Sequence, residues 1–185
     1  DDQYEPTVFA FTQKEKFAAD APAQPVALAT TPDIRWARRD IKTTNLLGQV
    51  MAKQAAHLAG AYEALMIAPD GTVTEAGSSS FFFIKDRELW VRPVSNDILH
   101  GITRQTMLRV AETHQLKIRE ENYTLAQALG ADEAFITAAS IYVLPVGRID
   151  DAEIGGGGVG TITAALRSAY LELAREEFPK LPETV

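Results

Sequence analysis

The chain has 185 residues, 46% of them hydrophobic, with a formal net charge of −7. That length and composition fit a packed domain and argue against disorder, and the acidic balance offers no basic surface for nucleic acid. Cysteine is absent, which excludes disulfides, thiolate zinc sites and a cysteine nucleophile; the three histidines form no HExxH pattern, so no metal site is expected. No apolar run reaches the length of a membrane span, and the acidic start carries no signal-peptide pattern, so a cytoplasmic protein is expected.

In chain order, "PTVFAFT" (6–12) and "QPVALAT" (24–30) read as strands, joined by the Ala/Pro-rich "KEKFAADAPA" as a loop or short helix. "NLLGQVMAKQAAHLA" (45–59) reads as a helix. Leu46, Leu47, Val50, Met51, Ala55 and Leu58 repeat at three- and four-residue steps, Asn45 is placed to cap the start, and Gly60 suits a left-handed stop. Four short strands follow: "YEALMIA", "GTVTEA", "SFFFIK" and "ELWVRP", with turns at "PDG" and at Asp86–Arg87. A helix is expected from about Thr103 to Gln115, a strand at "LKIREEN", and a short helix at "TLAQALG" capped by Thr124. "DEAFITAA" and "YVLPVGRID" read as strands, "GGGGVG" (155–160) as a flexible loop, and Thr161 to Glu177 as the closing helix. The interleaving lacks a strict βαβ rhythm and predicts a mixed α/β (α+β) fold.

Four stretches could carry chemistry. Lys42 stands in "DIRWARRDIKTTNLL" just before the first helix. Ile34, Trp36 and Ile41 make that segment a half-buried one by expectation, and a lysine in a desolvated cleft loses its proton readily and attacks carbonyls. Taken alone, such a lysine is far more often a surface cation. "TVTEAGSSSFFFI" (72–84) ends a strand at Glu75 and follows it with Gly77 and Ser78, Ser79 and Ser80; hydroxyls and amides in a turn suit a polar or anionic ligand, and alone they are an ordinary polar turn. "LHGITR" (99–104) puts Ile102 and Thr103 at the positive end of a helix, where a phosphate binds readily. "FITAAS" (135–140) ends a strand with small residues that allow backbone amides to approach a ligand. "GGGGVG" is not a phosphate loop, since no Lys-Ser/Thr pair follows it.

Together these stretches, with "AKQAAHLAGAYEAL" and "AFITAASIYVLPV", resemble the cofactor domain of the class IV (fold type IV) pyridoxal-phosphate aminotransferases. The resemblance runs from about Pro32 to Arg175 and is nearest to the D-amino-acid (D-alanine) branch. It implies that Lys42 forms the aldimine with pyridoxal 5′-phosphate and that Glu75 contacts the pyridine nitrogen. Leu99 would pack on the ring face, Ile102 and Thr103 would bind the phosphate, and Ala139 and Ser140 would make a second phosphate contact. Ser78 and Ser79 would line the site near cofactor and substrate. The implied activity is transfer of the amino group of a D-amino acid to a 2-oxo acid, 2-oxoglutarate or pyruvate, by a homodimer.

Three positions depart from the family pattern. Ser80 replaces the usual asparagine, Ala139 a frequent threonine, and Leu47 the tyrosine of branched-chain relatives; the last favours the D-amino-acid branch. A branched-chain L-amino-acid aminotransferase, an amine transaminase, an aminodeoxychorismate lyase and a non-catalytic cofactor-domain fragment are the alternatives. Relatives of this kind carry a smaller N-terminal domain of roughly a hundred residues. Residues 1–30 are expected to be its remnant and linker, with "YEPTVFAFTQ" as its last strand, and residues 31–185 the large cofactor-binding domain.

Overall fold

The computed structural model describes residues 5, 7–12 and 23–177. Residues 7–12 form no strand, and Val8, Phe9 and Phe11 are exposed: the expected strand is not there, because among the described residues its alternating apolar side chains meet no partner strand or core. Most of the loop expected at 14–23 lies outside the described residues.

Regular structure begins with β1 (Val26–Pro32), followed by α1 (Leu47–Leu58), β2 (Glu63–Ile67), β3 (Val73–Ala76), β4 (Ser80–Lys85) and β5 (Glu88–Val91). Then come α2 (Ile102–Thr113), β6 (Lys117–Glu120), α3 (Leu125–Leu129), β7 (Glu133–Ala138), β8 (Tyr142–Ile149), β9 (Ala152–Glu153) and α4 (Thr161–Glu177). The strands form one mixed sheet in the order β3-β2-β1-β8-β7-β4-β5-β6, with β9 paired to β8. β1 is parallel to both neighbours, β5 is parallel to β6, and the other pairs are antiparallel. This is the mixed α/β architecture that the sequence predicts. β1 runs across the expected division at residue 30 and is bonded within this sheet on both sides.

β4 shows why the sheet is buried. Its side chains alternate between faces, so Phe81 and Phe83 join one core with Leu28, Leu65, Tyr123 and Ile136. Phe82 and Ile84 join the other, under α2 and α4, with Met107, Phe135 and Leu166. Phe82 stacks on Phe135 at 5.0 Å between ring centroids, and Phe83 meets Tyr123 edge-on at 4.9 Å. The turn at Asp86 and Arg87 has φ of 52° and 62°, the left-handed pair that a tight hairpin needs.

Local signals at helix ends are met unevenly. Thr124 forms a full capping box with Gln127, and Gly60 takes φ 71° after α1. Asn45 does not cap α1; the cap position is Leu46, and no side chain bonds to the first turn. The apolar stripe of α1 faces outward. Ala52 and Ala56 bring the helix onto β1 and β2, while Leu47, Val50, Met51 and Leu58 are exposed. Small side chains allow the closer approach, so they take the sheet face. The "GGGG" segment is an ordered 3-10 turn at Gly155–Gly157 rather than a flexible loop. A Cβ at Gly155 would collide with the Asp132 carbonyl oxygen, so only glycine fits there.

Candidate active site

A cavity of about 730 Å³ opens between α1, the β3–β4 turn, the start of α2 and the end of β7. β1 ends at Pro32, and the segment that follows carries Lys42 to the cavity wall just before α1. β3 carries Glu75, and the turn after it carries Ser78 and Ser79. This turn is closed by the Ala76 amide donating to the Ser79 carbonyl at 2.9 Å and tied to β2 by the Gly77 amide donating to the Ala64 carbonyl at 3.0 Å. The loop before α2 adds Leu99, and the helix start adds Ile102 and Thr103. β7 pairs Thr137 with Ser80 of β4 and ends at the cavity with Ala138 and Ala139. Ser140 is exposed and is not on the cavity wall.

Lys42 lies on the wall as an exposed residue, not in a desolvated cleft, and Ile34, Trp36 and Ile41 around it are 58%, 50% and 44% exposed. The expectation of a half-buried segment is therefore corrected. These side chains follow β1 in an irregular segment, and the described residues supply no layer to cover them.

Glu75 is buried and held from two sides. Its Oε1 accepts from Arg35 Nη1, and the Leu99 amide lies 3.3 Å from both carboxylate oxygens. Burial pushes the Glu75 carboxyl above its usual range, against the opposing pull of the Arg35 charge and hydrogen bond. Asp33 holds Arg35 in a fork, Nε to Oδ1 at 2.9 Å and Nη2 to Oδ2 at 2.7 Å. At Asp33, burial raises the carboxyl, and the bonds from Arg35 and Thr74 outweigh it and hold it below the usual range.

A second cluster flanks the serines. Lys53 Nζ donates to Ser78 Oγ at 3.0 Å, Ser78 donates to Glu63 Oε2 at 2.7 Å, and Lys53 stands 3.6 Å from the same carboxylate. Sequence reading passed over Asp33, Arg35, Lys53 and Glu63. One signal was available: a glutamate opening the apolar strand "EALMI" is a charge in a buried place and needs a partner.

The cavity wall fits a phosphorylated ring. Ser79 Oγ and Thr137 Oγ1 are buried without a hydrogen-bond partner. No side chain caps α2, so the amides of its first turn lack helical acceptors and carry the positive end of the dipole. Donors of this kind suit a phosphate, and Glu75 suits a ring N–H.

The Amino-transferase class IV family matches residues 1–149, about four fifths of the chain. The chain belongs to the class IV aminotransferases. It is 41% identical over 165 residues to D-alanine aminotransferase of Staphylococcus epidermidis, covering 89% of this chain and 58% of that protein. It is also 41% identical over 143 residues to D-alanine aminotransferase of Listeria monocytogenes serotype 4b, covering 77% and 49%. The chain thus spans about half the length of the curated relatives it matches. Among solved structures, a T.th. branched-chain amino acid aminotransferase complexed with N-(5′-phosphopyridoxyl)-L-glutamate aligns with TM-score 0.77 at 31% identity, over 84% of this chain and 53% of that one. The Thermobaculum terrenum branched-chain enzyme in its pyridoxal-phosphate form aligns with TM-score 0.81 at 25% identity, over 88% and 55%. Class IV aminotransferases are pyridoxal-phosphate enzymes, in line with the cofactor expected from the sequence. Identity to the D-alanine enzymes is higher than to these branched-chain structures, as the D-amino-acid reading expects.

Proposed function

We propose that the protein is a pyridoxal-phosphate-dependent transaminase that moves the amino group of a D-amino acid to a 2-oxo acid such as 2-oxoglutarate or pyruvate. The observation that carries this reading is the meeting of Lys42, Glu75, unpartnered hydroxyls and an uncapped helix start on one cavity wall. Identity of about two fifths to D-alanine aminotransferases supports the D-amino-acid choice.

We assign Ser79 and Thr137 hydroxyls, with the first-turn amides of α2 and the backbone at Ala139, to the phosphate. Leu99 offers an apolar surface to the ring, and Glu75 accepts the hydrogen of the ring nitrogen. When bound, pyridoxal phosphate supplies an aldehyde for an amine and a ring that accepts the electron pair left when the substrate Cα loses its proton. Lys42 Nζ is the amine that would hold the cofactor and, once released by the incoming amino acid, would take the proton from the substrate Cα and pass it to the cofactor carbon that had carried the aldehyde. Its exposed place on the wall leaves room for that exchange.

We also propose that the protein acts as a cytoplasmic homodimer that includes a smaller N-terminal domain. The exposed stripe of α1 supports a second copy as the cover: Leu46 and Val50 line the cavity and continue outward into Leu47 and Met51. An apolar patch of this kind marks an interface. Replacing Leu47 and Met51 with glutamate is expected to yield monomers in sedimentation, and an unchanged dimer would remove this face from consideration.

Borohydride reduction of the complete protein with pyridoxal phosphate, followed by digestion and mass mapping, tests the central assignment. The adduct is expected on Lys42 and lost in Lys42→Ala. An adduct elsewhere sinks the assignment. Turnover of L- rather than D-amino acids would instead favour the branched-chain alternative, and a protein that takes up no cofactor would favour a non-catalytic domain.

A further inference from the structure

Six charges alternate in a chain that starts at Glu75 on the cavity wall. Glu75 bonds to Arg35, Arg35 to Asp33, Asp33 pairs with Arg39 at 3.4 Å, Arg39 with Asp97 at 2.8 Å, and Asp97 with Arg92 at 3.0 Å. The end nearest the cavity is the most buried: the side chains of Asp33, Arg35 and Glu75 are 0%, 4% and 9% exposed. Thr74 adds a hydrogen bond to Asp33 Oδ2 at 2.7 Å. Asp33 and Arg35 are two residues apart, whereas Glu75 is forty positions further along and reaches them only because β3 is joined through β2 to β1.

We propose that Arg35, fixed by Asp33, is a positioning residue that keeps Glu75 an anion and so keeps the proton on the cofactor's ring nitrogen. This rests on the functional reading above and deepens it. A proton between a pyridine nitrogen and a carboxylate goes to the more basic partner. Burial raises the basicity of Glu75, and the Arg35 cation opposes that rise. Without Arg35 the proton moves toward Glu75, the ring loses its charge, and it accepts electrons less well. Oε1 is taken by Arg35, and the remaining contact of Oε2 is the Leu99 amide at 3.3 Å, so Oε2 has a lone pair left for the ring N–H. Asp33 supplies the fork that fixes the guanidinium plane, which a lysine ammonium cannot match.

The experiment uses the complete protein loaded with pyridoxal phosphate carrying 15N in the ring. Borohydride mapping to Lys42 is done first on every variant. In the wild type the nitrogen resonance is expected at the protonated position. In Arg35→Met it shifts toward the unprotonated position, and kcat falls roughly 10- to 100-fold while KM changes less than about threefold. Arg35→Lys, which keeps the charge, restores the resonance and part of kcat. Removing a buried partner can prevent folding; in that case Asp33→Asn combined with Arg35→Met removes one charge of each sign and is expected to give the same shift. A variant that still forms the Lys42 adduct but leaves the nitrogen resonance unmoved overturns the role of Arg35 and leaves the functional reading standing. A wild type without the Lys42 adduct overturns that reading, and this inference with it.

Discussion

Lys53 Nζ lies 3.0 Å from Ser78 Oγ, so α1 is tied to the turn that brings the serines to the cavity. Ser78 in turn donates to Glu63 at 2.7 Å, and Glu63 also accepts the Ala64 amide at 3.0 Å. One buried carboxylate therefore fixes a helix, a strand and the turn of the candidate site together.

Removing Glu63 leaves Ser78 and the Ala64 amide without their acceptor. Glu63→Ala is expected to cost about 1–3 kcal/mol, the usual penalty for orphaned buried donors. Lys53→Met removes a half-exposed partner and is expected to cost less than about 1 kcal/mol. Urea unfolding of both variants checks the order, and equal losses would mean that the carboxylate is not the anchor.

Gly77 is where the turn passes closest to this cluster. A Cβ there would sit 2.6 Å from Glu63 Oε1 and 2.9 Å from Lys53 Cγ. Gly77→Ala is expected to lose roughly 1–3 kcal/mol of stability by overpacking and to weaken cofactor affinity through the displaced Ser78. Gly158, with no neighbour within 4 Å of a Cβ and a φ of −92°, is the control, and Gly158→Ala is expected to change neither quantity.

Glu75→Gln keeps the size of the side chain and removes its charge. Attachment of the cofactor to Lys42 is expected to survive, while kcat falls by roughly two to four orders of magnitude, the range in which positioned proton chemistry operates. Steady-state kinetics beside the visible spectrum of the loaded protein measure both. Undiminished kcat would remove Glu75 from the ring nitrogen.

Stability should depend on pH through two buried carboxyls of opposite sign. Asp33 is held below its ordinary value of 3.8, so its contribution is present above that value and is lost as pH falls through its folded value. Glu75 is raised above its ordinary 4.5, so its contribution is present below 4.5 and is lost as pH rises through its folded value. Urea midpoints measured across this acid range are expected to show a shallower loss below 3.8 in Asp33→Asn. In Glu75→Gln the decline above 4.5 should disappear.

Much of the fold was written locally. The capping box at Thr124, the left-handed Gly60 and the hairpin at Asp86–Arg87 each depend on a few adjacent residues, and the structure has them all. The stretch "SFFFIK" was recognisable as a strand because an all-apolar run must be buried on both faces. The wall residues Lys42, Glu75, Ser78, Ser79, Leu99, Ile102, Thr103 and Ala139 line one cavity, and it was the family resemblance, not periodicity or spacing, that singled them out. Periodicity in α1 identified a helix and left its face open: the spacing of Leu47, Val50 and Met51 is equally that of a core stripe or an outer one.

Residue order alone was enough to set most of the elements, their succession and the residue types available to the site, because propensity, capping and turn chemistry act over a few positions. Folding in three dimensions was needed to bring Arg35 to Glu75 across forty residues and Glu63 to Ser78 across fifteen. It also left Lys42 exposed and Glu75 buried. Those outcomes depend on which strands become neighbours and on how much low-dielectric protein surrounds each charge, and both are properties of the assembled sheet.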